Sequence, residues 1–190
     1  MARKSDAPEG GERRARPRKR AATLTMRMGV GYDSHRFGAG NAIRLGGISI
    51  PHAQALVGHS DADAVAHAVT DALLGAVGEG DIGAMFPDND PANHRRDSLE
   101  MLTLAMALLR DRGWRANNVD VTVIAEAPRI APYREAMRDT IAAALQLDRA
   151  AVSVKGKTNE GMGWIGRGEG IACIAVATVV PVVPVVPVAT

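Results

Sequence analysis

The sequence predicts a single domain of the α/β (α+β) class: a mixed β-sheet with helices packed on one face and ferredoxin-like βαβ elements. Three observations lead there. Segments that alternate with period two are interleaved with segments whose apolar residues recur every three to four positions, so strands and helices alternate along the chain. A length of 190 residues fits one domain. At 46% hydrophobic and 3% aromatic, the chain can bury a core, but one made of Ala, Val, Leu, Ile and Met.

Each element has its own signal. Met26, Met28, Val30 and Tyr32 fall on one side of a first strand. Ile43 to Ile50 reads as a strand, a turn at Gly46-Gly47 and a second strand. Ser60 opens a helix as its N-cap, with Asp63 in the first turn. Val65, Val69, Leu73 and Val77 form that helix's apolar stripe, and Gly78 and Gly80 end it. Asp81 to Asn93, rich in Gly, Pro, Asp and Asn, reads as loop. Ser98 to Arg112 is a second helix with Leu99, Leu102, Met106 and Leu109 on one side and Gly113 as its stop. Val119 to Ala125 is a strand. Pro132 suits a first helical turn, and Tyr133, Met137, Ile141 and Leu145 make a third apolar face. Ala151 to Thr158 and Gly170 to Val180 are the closing strands. The order is β-ββ-α-α-β-α-β-β, with no internal repeat.

Charge is unevenly spread. The formal net charge is +2, yet residues 1–20 hold eight basic and three acidic side chains, leaving 15 basic and 18 acidic, net −3, in residues 21–190. The pI near 9.0 therefore belongs to a tail and does not indicate a nucleic-acid-binding fold. Residues 1–25 read as a basic, disordered extension, 26–180 as the domain and 181–190 as a Pro/Val-rich tail whose prolines stop a strand. No apolar core follows the basic start, as an export signal requires, and no segment is apolar for the ~20 residues of a membrane helix. The single cysteine, Cys173, lies in the apolar run Ile171 to Val176 and reads as a small buried hydrophobe. With no internal disulfide available, a reducing, cytoplasmic setting is expected.

The residues that carry chemistry come in five groups. Asp33-Ser34-His35 ends the first strand, where positions i and i+2 share a face. His67 sits one and a half turns into the helix after Ser60. One oxygen and two nitrogens suit zinc or a similar divalent ion and leave a coordination position open. The plainer alternative is a polar strand end and a surface histidine. His59-Ser60-Asp61-Ala62-Asp63 offers an anion site at a helix N-terminus, or an ordinary cap. Asp81-Ile82-Gly83 and Phe86 to Pro91 form an acidic loop, either solvated or able to bind sugar hydroxyls or magnesium. In Lys155 to Gly161, Lys and Thr suit a phosphate and Glu160 a hard cation. This is not a Walker A loop, because its spacing and following helix are missing. Gly166-Arg167-Gly168-Glu169-Gly170 brings backbones close, at a turn or a symmetry axis.

In order, Gly-Tyr-Asp-Ser-His-Arg-Phe (31–37), His-Ser-Asp-Ala-Asp (59–63), His67 with Thr-Asp-Ala-Leu-Leu-Gly (70–75), Gly-Asp-Ile-Gly (80–83), Phe-Pro-Asp (86–88), Ala-Pro-Arg (127–129) and Gly-Arg-Gly-Glu-Gly-Ile-Ala (166–172) resemble the 2-C-methyl-D-erythritol 2,4-cyclodiphosphate synthases of the non-mevalonate isoprenoid pathway. The resemblance covers about residues 26–180. It implies that Asp33, His35 and His67 bind zinc, that Glu160 holds a second ion, magnesium or manganese, and that His59 and Thr158 stabilise the transition state. It places Asp81 and Gly83 at the ribose end of the substrate, with Ser60, Ile82, Phe86, Asp88 and Asp90 also in contact. Ala125, Ala127, Pro128, Arg129, Ile130 and Ala131, together with Lys157 and Asn159, fall in the nucleotide and phosphate pocket, and Trp164 and Arg167 join the substrate-binding set. It further implies a homotrimer with each active site between two subunits and with Arg167 and Glu169 near the threefold axis. Lys157, Asn159 and Trp164 depart from the family's frequent residues, which bears on local contacts rather than on the reaction.

The implied reaction is intramolecular. The 2-phosphate of 4-diphosphocytidyl-2-C-methyl-D-erythritol 2-phosphate attacks the β-phosphorus and expels CMP, leaving a cyclic diphosphate. No activated Ser, Cys or Lys is required, and none is evident. Two other readings share these residues: a zinc-dependent phosphodiesterase, which would give a linear phosphate, and a catalytically silent trimer that binds nucleotides. No nucleic-acid or membrane partner is expected.

Overall fold

The computed structural model describes residues 25–182; the readings of residues 1–24 and 183–190 lie outside them. A five-stranded mixed sheet carries the domain. Its strands are β1 (Arg27–Gly38), β4 (Ala55–Leu56), β5 (Trp114–Ile124), β6 (Val152–Lys157) and β7 (Gly170–Pro181), in the order β4-β1-β7-β5-β6. The central β7 is antiparallel to β1 and β5, whereas β5 and β6 run parallel. A parallel pair needs a crossover, and α4 (Arg134–Leu145) supplies it, so β5-α4-β6 is a βαβ unit. β2 (Ala42–Leu45) and β3 (Ile48–Pro51) form a separate hairpin through Gly46-Gly47.

The helices α1 (Ala64–Val77), α3 (Ser98–Asp111) and α4 cover one side of the sheet. Between the layers lie Val65, Val69, Leu73, Leu102, Leu109, Met137, Ile141, Val121 and Cys173, all buried. Phe86 is the one aromatic among the buried hydrophobic side chains of the described residues, so the core is aliphatic, as the composition demands.

Helix α1 lies unusually close to β1. A Cβ on Gly31 would stand 1.9 Å from the Ala68 carbonyl oxygen, and one on Gly29 would stand 2.1 Å from that of Ala72. Only glycine permits this approach.

Beyond an added short strand β4, a helical turn at Gly163–Gly166 and an earlier start of β5, four details differ from the sequence reading. First, α1 starts at Ala64, and its cap is Asp63 rather than Ser60. The buried Asp63 carboxylate accepts hydrogen bonds from Val65 N, Ala66 N, Gly46 N and Gly47 N at 3.1, 3.0, 2.7 and 2.6 Å. It thus joins the helix start to the hairpin turn, whose glycines take the left-handed φ of +59° and +78°. Ser60 and Asp61 lie upstream, in the loop. Second, β1 continues to Gly38, so Asp33 and His35 sit inside a strand and not at its end. Third, the 81–93 loop contains a helical turn, α2 (Ile82–Met85), and a 3-10 turn at Pro91–Asn93, capped by Asp81 and Asp90. Each is too short to show an apolar stripe. Finally, the alternation of Met28, Val30 and Tyr32 is real, but that face turns away from α1; these side chains are 64, 63 and 55% exposed. They continue into Ile174 on β7, paired with Tyr32.

Candidate metal centre and neighbouring cavities

Period two puts Asp33 and His35 on the same side of β1 as Gly31, the side facing α1. Because Gly31 lets α1 come close, His67, the fourth residue of that helix, reaches the strand. Three side chains from two elements thereby converge on one point. Asp33 Oδ2 lies 2.9 Å from His35 Nε2 and 3.0 Å from His67 Nδ1, and the two ring nitrogens are 3.3 Å apart. Zinc bonds of about 2.0–2.1 Å in tetrahedral geometry put ligand atoms about 3.3 Å apart, so opening two distances by a few tenths of an ångström fits the tripod around an ion. Among the described residues this is the one group of three such side chains found together.

The far side of each imidazole is held by protein. His35 Nδ1 donates to the Val57 carbonyl at 3.0 Å, which leaves Nε2 free for the ion. His67 Nε2 faces the hydroxyls of Ser98 and Ser60 at 2.9 and 3.0 Å, which leaves Nδ1.

The electrostatics agree. Burial pushes the Asp33 carboxyl up, but hydrogen bonds and charge from His35 and His67 outweigh it and hold the group well below the usual carboxylate range. Burial pushes the His35 imidazole down, and the Asp33 hydrogen bond and charge, helped by the Val57 carbonyl, more than reverse this. Asp33 is therefore an ionised carboxylate, the form a metal requires.

The tripod opens into a cavity of about 350 Å³ lined by His35, His59, Ser60, His67, Ile82, Gly83, Phe86 and Asp88. His59 stands at its rim, 70% exposed, with Nε2 4.0 Å from Asp88. The α2 turn is set by Asp71, which accepts from Ile82 N at 2.7 Å. Asp81 and Asp90 serve as caps, bonding Ala84 N and Ala92 N at 2.8 and 2.9 Å.

A second cavity, about 260 Å³, is lined by Ala125, Pro128, Arg129, Ile130, Ala131, Lys157 and Thr158, with a cis Ala127–Pro128 bond in its wall. Thr158 donates to Glu160 at 2.8 Å. Glu160 does not join the tripod. Asn159, Trp164 and Arg167 line neither cavity; Asn159 bonds the Met162 carbonyl, and Arg167 pairs with Glu169 at 2.6 Å. In register, Ser34, Ala172, Ile124 and Lys157 lie side by side. The two cavities thus stand three strand spacings apart, ~14 Å.

Sequence reasoning gave no individual role to several supporting residues. Glu126 accepts from Asn159 N and Gly161 N at 2.9 and 3.2 Å and so shapes the phosphate-side loop. Asp71 lay inside a quoted motif with no role given. Ser98 looked like an ordinary first helical residue, and nothing along the chain links it to His67.

Together, fold and tripod define a class: α+β domains that present an Asp-His-His tripod, a candidate metal site, between a sheet strand and its covering helix. Within that class the YgbB family model matches residues 26–180, and the chain belongs to that family. It is 59% identical over 156 residues to 2-C-methyl-D-erythritol 2,4-cyclodiphosphate synthase of Gemmatimonas aurantiaca, covering 82% of this chain and 94% of that protein. Among solved structures, the bifunctional IspDF of Campylobacter jejuni is 37% identical with a TM-score of 0.81; the match covers 84% of this chain and 43% of that longer one. IspF of Plasmodium falciparum, a CDP complex, is 34% identical with a TM-score of 0.73, over 84% of this chain and 99% of that one.

Proposed function

We propose that this chain converts 4-diphosphocytidyl-2-C-methyl-D-erythritol 2-phosphate into 2-C-methyl-D-erythritol 2,4-cyclodiphosphate and CMP, a phosphorus–oxygen lyase step of cytoplasmic isoprenoid biosynthesis. The convergence of Asp33, His35 and His67 at the floor of an open cavity carries this reading. The relatives' names and the CDP complex support the substrate class. Among the described residues no helix is long and apolar enough to cross a membrane.

The obstacle is bringing an anionic phosphate nucleophile onto an anionic diphosphate. When bound, a divalent ion supplies positive charge that offsets this repulsion and polarises a phosphoryl oxygen. The chain's own side chains do the rest. Asp33, His35 and His67 would hold zinc; Glu160 is an exposed single carboxylate, which would suit magnesium or manganese as a second ion. Arg129 and Lys157 bring two cations to the second cavity and hold the diphosphate and nucleotide end. Ile82, Gly83 and Phe86 wall the first cavity, and Asp81 and Gly83 meet the ribose end of the substrate. His59 and Thr158 donate hydrogen bonds where charge develops on the phosphoryl oxygens. Folding the substrate so that its own phosphate meets the β-phosphorus supplies several kcal/mol, out of the ~7–11 kcal/mol available to well-oriented intramolecular reactions.

The family resemblance implies a homotrimer, and two features support sites shared between subunits. The tripod and Thr158 belong to cavities too far apart in one chain to grip one phosphate. The exposed Met28, Val30, Tyr32 and Ile174 also make an apolar sheet face that wants cover. Incubation with the cytidyl diphosphate substrate, zinc and magnesium, followed by phosphorus NMR, tests the reaction. CMP with a cyclic diphosphate is expected; a linear phosphate overturns it in favour of a phosphodiesterase.

A further inference from the structure

We infer that Ser98, backed by Asp61, is a positioning residue for the metal ligand His67. The inference rests on the metal reading of the Asp33–His35–His67 tripod. An imidazole that gives Nδ1 to a metal carries its proton on Nε2 and must donate it to something. His67 Nε2 points away from the tripod to Ser98 Oγ at 2.9 Å. Ser98 is wholly buried, so its hydroxyl is shielded from water.

That hydroxyl is oriented by what lies beyond it. The Ser98 O–H donates to Asp61 Oδ1 in a short hydrogen bond, and Ser98 N donates to Asp61 Oδ2 at 3.3 Å. With its proton committed to Asp61, Ser98 Oγ turns a lone pair to His67. Asp61 is held in place by Arg44, whose Nε lies 2.8 Å from Asp61 Oδ2. Arg44 is itself fixed by Asp97 at 2.8 Å. The result is a chain, His67 Nε2–H to Ser98 to Asp61 carboxylate, drawing on three separate elements. A carboxylate at the end of such a chain polarises the imidazole, raises the basicity of its metal-facing nitrogen and fixes the ring's direction.

Two neighbours do not duplicate this role. Ser60 Oγ also lies near Nε2, at 3.0 Å, but it lines the open cavity and accepts from Ala62 N. The α3 cap does not need the Ser98 hydroxyl, because Asp97 performs it through Leu99 N and Glu100 N at 2.9 and 3.1 Å.

The test measures the zinc dissociation constant by competition with a chromophoric chelator, on metal-stripped full-length protein, alongside the melting temperature of each metal-free variant. Ser98→Ala and Asp61→Asn are expected to bind zinc about 10–100-fold more weakly than the parent. Leu109→Ala, which weakens the packing of α3 at its far end, is expected to lower the melting temperature while leaving zinc affinity within about twofold, since the Ser98–Asp61 bond survives. Parent-like zinc affinity in folded Ser98→Ala, or in Asp61→Asn should Ser98→Ala not fold, overturns the inference. So does an equal loss in Leu109→Ala, which would assign the effect to helix placement. A parent protein that binds no zinc defeats the metal reading itself, a separate outcome.

Discussion

At the scale of single residues, His35 is the most exposed to test. It gives Nε2 to the tripod and anchors its other nitrogen on Val57, so its loss removes a ligand and leaves Asp33 and His67 alone. His35→Ala is expected to abolish stoichiometric zinc in metal analysis and to lower turnover at least a hundredfold, on the order of 3 kcal/mol; parent-like values for both would refute the ligand assignment. Its protonation adds a second test. In the metal-free protein the raised imidazole value means a stabilisation that is full below the ordinary histidine value and lost as pH rises through the folded one. The lowered Asp33 value means a stabilisation present above the ordinary carboxylate value and lost as pH falls through the folded one. The pair therefore supports the metal-free fold most between the ordinary values, about 3.8 and 6.5. Zinc needs the neutral ring, so it must displace that proton. Zinc affinity should fall about tenfold per pH unit below the folded histidine value, with one proton released per ion bound; calorimetry in buffers of different ionisation enthalpy measures the release.

At the scale of elements, the meeting of β1 and α1 decides whether the site forms. Gly31→Ala places a methyl group on the Ala68 carbonyl and pushes the helix, with His67, away from the strand. We expect a loss of about 3 kcal/mol in urea unfolding together with weaker zinc binding; an unchanged midpoint would show that the contact can relax. The same contact explains what was legible in the sequence. Strands and long helices announced themselves by period, and the i, i+2 spacing of Asp33 and His35 already put two ligands on one face. The helix start was misjudged because Ser60 and Asp63 are both good caps, and the choice was made by Gly46 and Gly47, far off in sequence. The relay of Ser98 to His67 was invisible because it depends on α3 and α1 being packed side by side. The outward turn of Met28, Val30 and Tyr32 was likewise hidden: alternation defines two faces but not which one the chain covers for itself.

At the scale of the whole molecule, the separation of the two cavities predicts trading of parts between copies. His35→Ala and Thr158→Ala should each be nearly inactive alone. After subunit exchange in an equimolar mixture, about one site in four combines an intact metal half with an intact Thr158 half in a closed ring of copies, so activity near a quarter of the parent level is expected. No recovery, with exchange confirmed by mass spectrometry of mixed assemblies, would place both halves of the site in one chain.

The greasy stripe formed by Met28, Val30, Tyr32 and Ile174 carries one more consequence. If neighbouring copies are what shelters it, then heat resistance is not a fixed trait of the polypeptide but rises with how much of it is present. A thousandfold dilution should shift the midpoint of unfolding downward, and a polar residue in place of Val30 should bring the concentrated sample down to meet the dilute one.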